Sequence, residues 1–180
     1  MKIVSIGDSL TNFGFNEDGW ATKLIKTGKY TIENVGINGI TSSEMLNKIP
    51  SSEIENKIIY ADLITLWLGT NDVLQYYNNN ITTQEYIKNI NSKIQILLIG
   101  LPSSSFSINK YISKEHSMLF VFNNELLKFS EKTDIPMINL MNNTDNQEIM
   151  VSDLYDGIHF NINGHNKLFN KMNNFLINNY

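Results

Sequence analysis

Lys2-Ile3-Val4-Ser5-Ile6-Gly7-Asp8-Ser9 is the stretch that decides the fold. A short, nearly continuous apolar run ends abruptly in Gly-Asp-Ser. A strand wetted on one face alternates apolar and polar residues, whereas a continuous run marks a strand covered on both faces, as in parallel sheets. Four later runs share this character: residues 31–35, 63–68, 94–99 and 136–140. Helical patterns separate them. Asp18 is placed to cap a helix through Trp20, Leu24 and Ile25, which Gly28 would close. Thr41-Ser42-Ser43-Glu44 and Thr82-Thr83-Gln84-Glu85 have capping-box spacing. Residues 115–132 align Leu119, Phe122, Leu126 and Phe129, and residues 163–178 align Leu168, Met172, Phe175 and Leu176. Strand alternating with helix predicts an α/β domain around a five-stranded parallel sheet. With 180 residues and no visible linker or repeat, residues 1–180 are expected to form one domain.

Composition removes several function classes. The net charge of -4, without a basic cluster, argues against a nucleic-acid surface. The absence of cysteine excludes disulfides, thiolate nucleophiles and thiolate metal sites. The first apolar run stops at Ile6, too short for a signal peptide, and no run approaches the about 20 apolar residues of a membrane span. A cytoplasmic protein is expected, although a secreted form already processed would read the same.

In such a fold, right-handed crossovers carry the strand C-terminal ends to one edge, where ligand sites form. Three polar motifs follow strands directly: Gly7-Asp8-Ser9, Gly36-Ile37-Asn38-Gly39 and Gly69-Thr70-Asn71-Asp72. A fourth, Asp156-Gly157-Ile158-His159, precedes the last helix. An acid three residues before a histidine can hold one ring nitrogen while the other takes a proton from a nucleophile. Ser9 is the nucleophile candidate, His159 the general base and Asp156 its orienting acid. The Ser9 and Gly39 N–H groups and the Asn71 amide are suited to an oxyanion hole.

These motifs resemble the blocks of the SGNH, or GDSL-type, serine hydrolases. Ile6-Gly7-Asp8-Ser9-Leu10 is similar to block I, the segment around Gly39 to block II, Gly69-Thr70-Asn71-Asp72 to block III and Asp156-Gly157-Ile158-His159 to block V. The family's four name residues fall on Ser9, Gly39, Asn71 and His159, in the family's order. Phe160 departs from the pattern, standing where many members have proline. The resemblance implies a flavodoxin-like three-layer α/β/α sandwich and cofactor-free, metal-independent hydrolysis of acyl esters or thioesters. Small, lipid-like and acetylated-sugar esters all remain open as substrates. Leu10, Tyr76, Phe106, Ile108 and Ile158 are the candidate substrate contacts, with Tyr77 a further wall candidate.

Other readings compete. The same sheet order can hold FMN, with a phosphate in the loop after strand one, where Ser9, Thr11 and Asn12 are available but Asp8 would repel it. A non-catalytic ligand-binding relative is the third possibility. Asp8 and Asp72 invite a metal reading, but no histidine or further carboxylate accompanies them at ligand spacing, so loop hydrogen bonding is expected. His165 and Trp20 are read as structural and His116 as solvated.

Overall fold

The computed structural model describes residues 1–75, 95–102, 112–141 and 149–180. The five apolar runs form one sheet: β1 (Lys2–Gly7), β2 (Thr31–Gly36), β3 (Leu63–Trp67), β4 (Gln95–Ile99) and β5 (Met137–Ile138), ordered β2-β1-β3-β4-β5. Every neighbouring pair is parallel. This is the flavodoxin-like doubly wound order. The described helices are α1 (Ser9–Phe13), α2 (Trp20–Lys26), α3 (Ser42–Lys48), α4 (Ser52–Ile59), α5 (Thr70–Gln75), α6 (Ile112–Thr133) and α7 (Ile162–Asn179).

Successive strand side chains point to opposite faces, so a continuous apolar run supplies two cores. On one face Ile3, Leu63, Trp67 and Leu97 pack with Trp20 and Leu24 of α2 and Leu168, Met172 and Leu176 of α7. On the other, Val4, Ile6, Ile64 and Leu66 pack with Met45 of α3 and Ile54 and Ile58 of α4. The result is a three-layer α/β/α sandwich. The polar positions within the runs satisfy each other: Ser5 and Thr65 are in register across β1 and β3, and Thr65 Oγ1 donates to Ser5 Oγ at 2.9 Å.

The local signals fare unevenly. Thr41 and Glu44 form the expected capping box, and Asn161 caps α7 by accepting from the Asn163 and Gly164 N–H groups. Asp18 does not cap α2. The Ala21 and Thr22 N–H groups at that helix start donate instead to the Gly14 carbonyl, and Asp18 lies 3.9 Å from Lys23. β5 has two residues rather than five. Beyond Ile138 the chain bends away, because Asn139 Oδ1 accepts from the Met141 N–H and from the Asn123 amide. β2 is only partly covered, being an edge strand. The capping box at Thr82–Glu85 lies outside the described residues. No helix among the described residues is long and apolar enough to cross a membrane.

Candidate active site

The turn after β1 is built around Asp8. Its N–H donates to the Trp67 carbonyl of β3 at 3.2 Å, and its Oδ1 accepts from the Leu10 N–H at 2.9 Å, capping α1. Ser9 is the first residue of that helix. A Cβ on Gly7 would overlap both the Thr11 hydroxyl and the Trp67 carbonyl, so only glycine lets β1 turn this close to β3. The loop after β2 is tied to the same turn. The Ile37 N–H donates to the Gly7 carbonyl at 3.0 Å, and the Asn12 amide bridges Asn34 and Asn38. The segment after β3 closes the group. Asn71 Nδ2 donates to the Ile40 carbonyl at 3.0 Å, and the Asp72 carboxylate accepts from the Ser42 N–H and hydroxyl. Asp8 and Asp72 thus have the loop roles expected of them. Among the described residues no His, Asp and Glu side chains converge in a metal-binding group.

His159 reaches this edge from a loop with a tied neck. Leu154 and Phe160 form an antiparallel bridge, the Tyr155 N–H donates to the His159 carbonyl at 2.9 Å, and the Asn161 N–H donates to the Asp153 carbonyl at 2.8 Å. Phe160, in the position where a proline was the alternative, is buried against Trp67 and His165 and anchors the loop to the core. Gly157 takes φ +91°, a conformation suited to glycine, and the turn folds Asp156 back on its successors. Asp156 Oδ1 accepts from the Ile158 and His159 N–H groups at 2.9 and 2.8 Å. Its Oδ2 lies 2.6 Å from His159 Nδ1, and His159 Nε2 lies 2.9 Å from Ser9 Oγ, 150 residues away in sequence. Partial burial raises the proton affinity of Asp156, but hydrogen bonds from the His159 ring and from the two N–H groups outweigh it and hold the carboxyl at about 2. The carboxylate is ionised wherever the imidazole is in use.

Ser9, His159 and Asp156 are therefore brought together, with the Gly39 loop and Asn71 tied to the same turn. The candidate substrate contacts divide. Ile158 is partly buried beside the core. Leu10 is 2 % exposed and belongs to the core cluster under α1, so its side chain faces the sheet rather than the site. Tyr76, Tyr77, Phe106 and Ile108 lie outside the described residues, as does the side chain of His116. Trp20 is fully buried on Trp67, as expected of a packing residue. His165 is buried against Phe160; burial, reinforced by the Lys23 charge, lowers its pKa to about 4, so it stays neutral. Of the groups offered to an FMN phosphate, Thr11 is buried and the Asn12 amide is engaged on both sides.

Two aromatic neighbours of His159 escaped the sequence reading. Phe13 meets the imidazole edge to face at 4.7 Å, and Tyr155 stacks on it at 5.8 Å. Phe13 had a legible signal, since it lies four residues after Ser9 on α1 and therefore on the same helix face. A cleft of about 620 Å³ lies along the outer edge of β2, lined by Asn34, Ile37, Lys48, Pro50, Glu53 and Lys57 among others. Neither Ser9, His159 nor Asp156 lines it.

The model of the GDSL-like lipase/acylhydrolase family matches residues 5–167. Among solved structures, an acetyl xylan esterase superposes with a TM-score of 0.74 at 20% identity, covering 96% of this chain and 98% of its own. A GDSL-like lipase from Bacteroides thetaiotaomicron gives 0.75 at 18% identity, covering 99% and 89%. A lipase/acylhydrolase from Enterococcus faecalis gives 0.67 at 21% identity, covering 95% and 92%. At such identities the likeness establishes the fold. No curated protein matches the sequence.

Proposed function

This chain belongs to the GDSL-like lipase/acylhydrolase family and is a carboxylic ester hydrolase, and from that premise we propose that it works through a covalent acyl-Ser9 intermediate. The observation that carries the proposal is the hydrogen-bonded relay Ser9 Oγ–His159 Nε2, His159 Nδ1–Asp156 Oδ2, at 2.9 and 2.6 Å. Ser9 Oγ attacks the ester carbonyl carbon and gives its proton to His159 Nε2. Asp156 fixes the tautomer and stabilises the imidazolium. The tetrahedral intermediate collapses, the C–O bond to the alcohol breaks, and His159 returns the proton to the departing alkoxide. Water then repeats the sequence on the acyl-enzyme and releases the carboxylic acid and free Ser9.

The developing oxyanion is received by the Ser9 and Gly39 N–H groups and by the Asn71 amide. One Asn71 N–H is committed to the Ile40 carbonyl, which aims the amide and leaves the other for the substrate. Substrates are small-molecule acyl esters, with lipid, acetylated-sugar and thioester substrates within the same chemistry. The test is hydrolysis of p-nitrophenyl esters across acyl lengths by wild type and Ser9→Ala. Loss of activity by about 10⁴-fold or more in Ser9→Ala is expected; equal activity of the two proteins refutes the mechanism.

A further inference from the structure

Beneath the nucleophile lies a pair of buried acids that the proposed mechanism does not use. Asp8 is 0 % exposed and Asp72 is 8 % exposed. Their hydrogen bonding differs sharply. Asp72 takes the Ser42 N–H on both oxygens and the Ser42 hydroxyl on Oδ1 at 2.6 Å, the environment of an ionised carboxylate. Asp8 takes the Leu10 N–H on Oδ1, while its Oδ2 is buried with no partner of standard geometry among the described residues. The Thr70 hydroxyl, buried and likewise without a partner of standard geometry, faces the Asp8 carboxyl as a poorly aligned donor. An ionised oxygen offered only a poorly aligned hydroxyl in the interior is disfavoured, and two neighbouring carboxylates do not readily ionise together.

We propose that Asp8 is a positioning residue that works as the neutral acid, with Oδ1 capping the nucleophile helix and a proton on Oδ2, and that its ionisation switches the site off at alkaline pH. The assignment rests on the reading of Ser9 as nucleophile. Burial, with the Asp72 charge and against the hydrogen bonds from the Leu10 N–H and the Thr70 hydroxyl, raises the Asp8 pKa to about 7. Among the described residues, the groups that face Asp8 add no compensating cation. Asp72 and the Thr70 hydroxyl come from α5, the Trp67 carbonyl from β3, Ser42 from α3 through Asp72, and His159 reaches the start of α1 through Ser9 Oγ. Loss of the proton places a second negative charge against Asp72, whose carboxylate holds the start of α3. It also puts that charge next to Ser9, where the oxyanion must form.

The experiment compares kcat/KM from pH 5.5 to 9.5 for wild type, Asp8→Asn and Asp72→Asn. Wild-type activity is expected to fall about tenfold per pH unit above the Asp8 titration. Asp8→Asn keeps the Oδ1 acceptor and supplies a fixed donor where the proton sat. It should retain at least about a third of wild-type activity at pH 6.5 and lose the alkaline decline. Asp72→Asn removes the repelling charge and should move the decline acidward by up to about one unit. An alkaline decline unchanged in Asp8→Asn, or a folded Asp8→Asn inactive at every pH, overturns the proposal. If Asp8→Asn does not fold, an unmoved decline in Asp72→Asn does so.

Thermal unfolding supplies a readout independent of Ser9. A carboxyl with a raised folded-state pKa binds its proton in the native state where the unfolded chain has released it. Its contribution is complete below the unfolded value of 3.8 and is lost as pH rises through about 7. Asp8→Asn should flatten the dependence of Tm on pH in that window, and an unchanged dependence counts against the proposal. Equal activity of Ser9→Ala and wild type would instead remove the nucleophile reading, leaving the Tm result to judge the buried proton alone.

Discussion

Replacing Asp156 by Asn tests the placement of one proton. The two oxygens of Asp156 are not equivalent: Oδ1 receives the Ile158 and His159 N–H groups, and Oδ2 receives His159 Nδ1. In the asparagine variant the amide oxygen must occupy the Oδ1 place, because an NH₂ there would face two donors. The NH₂ group is thereby aimed at Nδ1, which must become the acceptor. The imidazole then carries its proton on Nε2, which points at Ser9 Oγ and can no longer take the serine proton. The loss expected when a triad carboxylate becomes an amide is about 10⁴-fold, or ~5.5 kcal/mol of transition-state stabilisation at 1.36 kcal/mol per decade.

The ground state should hardly notice. The Asp156 side chain is 38% exposed, so its lowered pKa is discounted for solvent screening to about 1 kcal/mol of stability. That contribution is present above 3.8 and is lost as pH falls toward about 2. The assay is kcat/KM on a p-nitrophenyl ester beside a thermal melt at pH 7. A loss below about tenfold, or a loss accompanied by a collapse in Tm, refutes the reasoning.

Asn71→Ala should lower kcat by about 10²–10³ with little change in KM, since the oxyanion exists only on the reaction path. A raised KM with unchanged kcat would make Asn71 a binding residue instead. Leu10→Ala should cost about 2–5 kcal/mol as a core cavity, seen as a fall in Tm. Its acyl-length preference should match wild type; an altered preference would return Leu10 to the substrate site.

Much of the fold was legible because burial on both faces leaves a local mark. The runs at residues 2–6 and 63–68 read as strands without knowledge of their partners, since each must feed two helical layers. Where neighbours intervened, local signals failed. Asp18 is a sound capping residue by type, but the Gly14 carbonyl reached the helix start first. The run at residues 136–140 is apolar but for Asn139, and the side-chain bonds of that residue end β5 early. Leu10 reads as a site residue from its place beside Ser9, but a helix begins there and turns that side chain to the core.

The site divides in the same way. Sequence by itself determined the groups available: a serine after β1, an amide after β3, and an acid three residues before a histidine. It also determined their shared edge, because the C-terminal ends of parallel strands lie together. Tertiary structure decided the relay. His159 meets Ser9 only because the bridge at Leu154 and Phe160 closes its loop and Phe160 plugs it into the core beside Trp67. It also decided the difference between Asp8 and Asp72, which share a residue type and a place after a strand. The protonation of a buried acid depends on the donors around it, and the Ser42 donors that reach Asp72 come from 30 residues away.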